Sequence, residues 1–168
     1  MVEARVVVMG PSGSGKSLVG SLLAERLGLR FVDADDLHPA ENVAKMAAGT
    51  PLDDADRMPW LDHVAAVLHE AEDGIVIACS ALARRYRDRI RAEAPGTVFV
   101  ELVVSRAELE RRMRRRTHFM PPALLDSQLE ILEHVTNDES GFAVPGERAP
   151  GEIVELAVER LAGGQSLR

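Results

Sequence analysis

Cysteine is almost absent from this chain of 168 residues: Cys79 is the single one. It cannot form an internal disulfide. That excludes a stapled secreted scaffold and fits a reducing compartment. No apolar run reaches the ~18 residues that a membrane helix needs. The N-terminus, Met1-Val-Glu-Ala-Arg-Val-Val-Val-Met-Gly10, has no charged n-region followed by an apolar core and a cleavage site. No signal peptide is expected. There is no repeat period, which excludes collagen, coiled-coil and solenoid architectures. Lysine is scarce as well: Lys16 and Lys45 are the only two, so 18 of the 20 basic residues are arginine. The net charge of −7 argues against nucleic acid as a partner.

What is present is globular. Apolar residues make up 46% and charged residues 28%, enough for one core and one domain over 1–168. The arginines gather in two groups, Arg84, Arg85, Arg87, Arg89, Arg91 and Arg106, Arg111, Arg112, Arg114, Arg115, Arg116. Local positive charge in an acidic protein suits a small anionic ligand, although most such side chains are expected on solvated helix faces.

Four short apolar runs read as buried strands: Ala4–Met9, Arg30–Ala34, Gly74–Cys79 and Thr97–Val104. Helical patterns alternate with them at Lys16–Leu27, His38–Gly49, Trp60–Ala71, Ala81–Ala94, Arg106–Arg116, Leu124–Glu133 and Glu152–Ala162. His134–Gly151 reads as a loop with at most a weak strand near Gly141–Val144. Alternating strands and helices predict an α/β three-layer sandwich around a five-stranded parallel sheet. Ligands are then expected at the carboxyl ends of the strands. The least regular stretches, Thr50–Pro59 and Thr117–Pro122, read as mobile pieces that cover a substrate.

Gly10-Pro-Ser-Gly-Ser-Gly-Lys-Ser17 matches G-x-x-x-x-G-K-[ST], with a strand before it and a helix after it. Successive backbone N–H groups at a helix N-terminus make an anion cradle. Gly10, Ser12, Gly13, Ser14, Gly15, Lys16, Ser17 and Leu18 are therefore the expected ATP-binding residues. Lys16 reaches the β- and γ-phosphates, and the Ser17 hydroxyl is a ligand for Mg²⁺. The third strand ends in Ala78-Cys79-Ser80, without a terminal Asp, and no N-K-x-D signal follows a strand. A compact phosphotransferase is what remains.

Asp33 and Asp35 close the second strand. Asp35 is assigned as the base or hydroxyl-orienting group and Asp33 as a carboxylate on the metal side. Capping of the next helix is the competing use, above all for Asp36. Arg114-Arg115-Arg116-Thr-His-Phe-Met120 reads as part of a lid over about 112–124, whose arginines neutralise the transferring phosphoryl group. Arg112 and Arg116 share one helix face, Arg111 and Arg115 another. Arg112 and Arg116 are the chosen pair. Trp60 and Tyr86 read as packing or anchoring groups and Cys79 as an inert core residue. His63, His69 and His134 have no zinc-ligand spacing.

Several further blocks follow in order. They are Asp33-Ala-Asp-Asp-Leu-His-Pro39, Asn42-Val-Ala-Lys-Met46, Gly49-Thr-Pro-Leu-Asp53 and Asp56-Arg-Met-Pro-Trp-Leu61, then Ala78-Cys-Ser-Ala-Leu82 with Arg84-Arg-Tyr-Arg-Asp88, His118-Phe-Met120 and Leu124-Leu-Asp-Ser-Gln128. Together they make the chain resemble the small thermoresistant-type gluconate kinases. The resemblance implies the P-loop kinase fold of the nucleoside monophosphate and shikimate kinase type, with a mobile lid and an acceptor-binding helical segment over about 38–70. It implies ATP-dependent phosphorylation of D-gluconate to 6-phospho-D-gluconate, with Mg²⁺, in a cytoplasmic homodimer with no membrane partner. By position it makes Asp35, His38, Arg57, Arg84 and Gln128 candidate substrate contacts. Ala34 stands where the family commonly has Gly, and Asp36 where it often has an apolar residue. Beyond Glu133 the likeness is loose, and adenine contacts are expected around Ala143–Arg148. A relative with another acceptor and an ATP-binding sensor without turnover are the alternative readings.

Overall fold

The computed structural model describes residues 4–115 and 122–166. Five strands form one sheet: β1 (Arg5–Met9), β2 (Arg30–Asp33), β3 (Ile75–Ala78), β4 (Val98–Val103) and β5 (Gly141–Pro145). Their order is β2-β3-β1-β4-β5 and every pairing is parallel. Seven helices connect and flank them among the described residues: α1 (Lys16–Leu27), α2 (Ala40–Ala47), α3 (Asp54–Glu70), α4 (Arg84–Glu93), α5 (Arg106–Arg114), α6 (Pro122–Ile131) and α7 (Pro150–Ser166). A 3-10 turn, Ala34–Leu37, follows β2 directly.

Strand side chains alternate between faces, and that alternation splits the core in two. Val7, Met9, Ile75, Ile77 and Phe99 pack on Leu61, Val64 and Leu68 of α3 and Tyr86 and Ile90 of α4. Val6, Val8, Val76, Val100 and Leu102 pack on Val19 and Leu23 of α1 and Ile153 and Ala157 of α7. The result is the expected three-layer sandwich. No helix among the described residues is long and apolar enough to cross a membrane.

Two expectations need correction. The helix expected from Trp60 begins at Asp54, so most of Thr50–Pro59 is ordered helix and not an irregular cover. Asp53 and Asp56 exchange side-chain-to-backbone hydrogen bonds of 2.8 and 3.0 Å, a capping box that starts α3. Pro59 lies inside this helix, where it removes one backbone donor without stopping the run. The weak strand near Gly141–Val144 is a full edge strand. Its pairing with β4, from Phe99↔Gly141 to Val103↔Pro145, takes in every residue of β5.

Candidate active site

Three segments converge at the carboxyl ends of the strands. The first is the loop from Gly10 to Gly15, between β1 and α1. Gly10, Gly13 and Gly15 have φ of +153°, +87° and +89°, and a Cβ on Gly10 would lie 2.6 Å from Ser14 Oγ. Glycine at these positions permits the positive-φ turns with which the loop reaches the N-terminus of α1, where backbone N–H groups favour an anion. Lys16 is buried at the first position of that helix.

The second segment is the end of β2. Asp33 Oδ2 accepts from Ser17 Oγ at 2.6 Å, and Asp33 Oδ1 accepts from the Asp35 amide at 3.0 Å. Asp33, not Asp36, therefore caps the 3-10 turn. It also sits on the predicted metal hydroxyl. Among the described residues no cluster of three or more His, Cys, Asp or Glu could hold a metal ion. The hydroxyl and carboxylate oxygens of Ser17 and Asp33 suit a hard cation such as Mg²⁺, which completes its shell from water and nucleotide phosphates.

The third segment is the first part of α3 with α4 and α6 around it. A cavity of about 290 Å³ opens here, lined by Ser12, Lys16, Asp35, His38, Arg57, Trp60, Ser80, Tyr86 and Gln128 among others. Trp60 is buried, donates from Nε1 to the Ala34 carbonyl at 2.7 Å, and stacks on His38 with 4.1 Å between ring centroids. The Arg57 guanidinium donates to the Tyr86 hydroxyl at 3.0 Å, and that hydroxyl donates to Asp54 at 2.5 Å. Asp54 also accepts two hydrogen bonds from Arg85, at 2.8 and 3.0 Å. Arg85 and Tyr86 together hold the Asp54 carboxyl at about 2, so it is ionised at neutral pH.

The expected site residues thus fall into groups. Lys16, Asp35, His38, Arg57 and Gln128 share the cavity. Gln128 faces it but is also bound to the loop, accepting from the Ser12 amide at 2.8 Å and donating to Ser12 Oγ at 3.3 Å. Arg84 does not line the cavity. Its guanidinium is committed to Asp138 at 2.8 Å and Thr136 at 3.1 Å. Arg112 lies against the phosphate loop, whereas Arg111 pairs with Glu108. Arg112 donates to the Gly13 carbonyl at 2.9 Å and the Gly146 carbonyl at 3.1 Å, while Glu108 takes its Nε–H at 2.8 Å. The strand and loop expected to meet adenine are thereby tied to the phosphate loop. Arg116, His118, Phe119 and Met120 lie outside the described residues. Leu18 has an exposed side chain on the first turn of α1. Cys79 is fully buried, and burial pushes its thiol up to about 12, which leaves it inert.

Asp54 and Asn42 are the site residues that sequence reasoning missed. Asp53-x-x-Asp56 was the available signal for the first, because a helix start there aims the first turn of α3 at α4.

A family model described as shikimate kinase matches residues 12–141. The gluconokinase of Gluconobacter oxydans (strain 621H) is 47% identical, over 89% of this chain and 86% of that protein. The chain belongs to the gluconokinase family. The thermosensitive gluconokinase of Escherichia coli (strain K12) is 45% identical, over 83% of this chain and 76% of its own length. Among solved structures, a gluconokinase from Sinorhizobium meliloti 1021 superposes with a TM-score of 0.90 at 45% identity, covering 98% of this chain and 97% of that one. The likeness to the gluconokinase family therefore spans the cavity and the phosphate loop alike.

Proposed function

We propose that the protein transfers the γ-phosphoryl group of ATP to the primary hydroxyl of D-gluconate, giving ADP and 6-phospho-D-gluconate. The observation that carries this reading is the cavity itself. One arginine, Arg57, stands in its wall, and a carboxylate, Asp35, stands in it near the phosphate loop. A guanidinium pairs with the carboxylate at one end of an aldonic acid. Asp35 meets the hydroxyl at the other end and orients it or takes its proton. His38, Ser80 and Gln128 offer neutral polar groups to the hydroxyls between.

The loop amides and Lys16 hold the phosphates in line with that hydroxyl. Arg112, anchored on Gly13, and Arg116 are assigned to the charge that spreads over the transferring group. Ser17 with Asp33 would hold Mg²⁺, which when bound neutralises charge on the β- and γ-phosphates. The lid over about 112–124 excludes water during transfer. Residues 1–168 act as one domain, with 38–70 as its acceptor-binding segment. A cytoplasmic homodimer completes the reading, resting on the family resemblance and on the lone thiol.

Arg57 and Arg84 separate this reading from its rivals. Arg57→Ala is expected to lower kcat/KM for gluconate by about 30-fold or more, the cost of removing one partner of a charged hydrogen-bonded pair. The KM for ATP stays within about twofold. Arg84→Ala leaves gluconate kinetics close to those of the unaltered enzyme, because Arg84 holds Asp138 and not the cavity. Steady-state kinetics of the two variants check both outcomes. A larger loss of gluconate turnover from Arg84 than from Arg57 overturns the site.

A further inference from the structure

Asn42 is buried, with 2% of its surface exposed, on a short helix otherwise open to solvent. Its side-chain nitrogen donates to the Asp56 carbonyl at 2.9 Å and lies 3.1 Å from His38 Nδ1. The opposite amide orientation would set two oxygens against each other at the Asp56 contact. An amide nitrogen only donates, so His38 Nδ1 must present its lone pair. A neutral imidazole then carries its proton on Nε2. The ring plane is fixed too, because Trp60 stacks on it at an interplanar angle of 14° while Trp60 is itself held by Ala34.

We propose that Asn42 is a positioning residue of the acceptor site, holding His38 as the neutral Nε2–H tautomer so that the imidazole offers a donor to a substrate oxygen. The inference rests on the proposed acceptor reaction and adds a direction to it. A hydroxyl that meets both His38 and Asp35 accepts from the imidazole and has its own proton free for the carboxylate. The order of donor and acceptor around that oxygen is then decided before substrate arrives.

The groups facing the ring agree with an uncharged imidazole. Burial lowers the His38 pKa most, Asp35 opposes this from the 3-10 turn, and Arg57 adds to it from α3. Lys16 shares the same cavity. The Asp56 carboxylate, below Asn42, is paired with Lys45 at 2.7 Å.

Two experiments test the tautomer. Nitrogen-15 ring correlation spectra of the unaltered full-length enzyme near neutral pH are expected to show His38 protonated on Nε2 and bare on Nδ1. The reverse assignment overturns the proposal, whatever the acceptor is. Asn42→Asp supplies the kinetic arm. A carboxylate at 42 accepts a hydrogen bond from Nδ1–H, which leaves Nε2 of the neutral ring without its proton and raises the His38 pKa. Below that raised pKa the imidazolium carries both protons, so the donor returns. The ratio of variant to unaltered kcat/KM for gluconate is expected to be down about tenfold at pH 8, the worth of one hydrogen bond. It recovers in part as pH falls to 6, the loss of the donor to the Asp56 carbonyl being the same at every pH, with the KM for ATP unchanged. An equal loss at every pH, or a loss shared by ATP, indicates a purely structural role and overturns the proposal. If the variant fails to fold, the spectra decide alone. Gluconate turnover by the unaltered enzyme tests the reaction separately.

Discussion

Asp35→Asn is expected to lower kcat with gluconate by roughly 10²–10⁴-fold, the usual contribution of a positioned acid or base. The substitution keeps size and shape but removes the proton acceptor. Nucleotide binding should survive it, because the structural bonds of this turn belong to Asp33. Asp33 holds Ser17 through one oxygen and the Asp35 amide through the other. The Asp35 side chain is exposed at the cavity mouth and caps nothing. Titration of ATP into the variant, beside its kcat, separates the two effects. ATP affinity within about twofold of the unaltered protein, with transfer almost gone, is the expected result. Loss of nucleotide binding would move Asp35 to the phosphate side and contradict its assigned role.

The largest effect on stability is expected at Arg87. Its side chain is fully buried and paired with the equally buried Glu139 at 2.7 and 3.1 Å. Arg87 also donates to the carbonyls of Ala81 and Leu82 at 2.9 and 3.1 Å. Ala81 is the one described non-glycine residue at positive φ, +42°, a conformation that costs free energy unless its surroundings hold it. Ser80 and Leu82, on either side, line the acceptor cavity. The ion pair therefore props up a wall of the site from behind. Arg87→Met takes the two-pronged partner from a buried carboxylate and leaves it Arg91 at 3.0 Å and the Thr136 amide at 2.9 Å, so the cost is expected toward the lower end of the about 3–5 kcal/mol typical of a broken buried pair. Urea denaturation checks this. A change below about 1 kcal/mol would show that water reaches Glu139 and that the strut does not bear on the fold.

The same pair predicts a pH dependence. Burial alone would raise the Glu139 pKa, but the Arg87 hydrogen bonds, the Thr136 amide and Arg91 outweigh it and hold the group at about 2, against an ordinary value of 4.5. A pKa lower in the folded than in the unfolded state means stability that is fully present above about 4.5 and lost as pH falls toward 2. The urea midpoint should fall over that window in the unaltered protein. It should fall less in Arg87→Met, where the depressed pKa has lost its first cause.

How much of this was legible before folding depends on how local the signal is. The phosphate loop was readable because glycine spacing, strand and helix all lie within about 25 consecutive residues. Asp33 and Asp35 followed, since a parallel strand end next to that loop leaves few other places for them. The start of α3 was misread because Pro59 and the polar run before it resemble a loop, and the Asp53–Asp56 box that overrides them uses Asp where Glu or Gln is usual. β5 was weak in sequence since an edge strand needs only one good neighbour, and β4 supplies it. The arginines show the limit of sequence reading most clearly. Arg57, Arg84, Arg85 and Arg87 look alike along the chain. Their partners come from segments up to 54 positions away, as in Arg84 with Asp138. Only the folded arrangement shows that all four have carboxylate neighbours, Arg57 the loosest at 4.0 Å from Asp54, and that Arg57 alone of them lines the cavity. Asn42 was hidden for the same reason, because its partner in α3 is named by tertiary contact alone.

The most direct test of the central claim is ADP release measured against a panel of acceptors: D-gluconate, other aldonic acids, shikimate, AMP, CMP and none. Turnover with D-gluconate far above every other acceptor, abolished in Asp35→Asn, is the predicted result. Turnover with shikimate or a nucleotide in its place would keep the phosphate-loop chemistry and contradict the acceptor site built on Arg57. Tight ATP binding with no turnover on any acceptor would contradict the kinase reading itself.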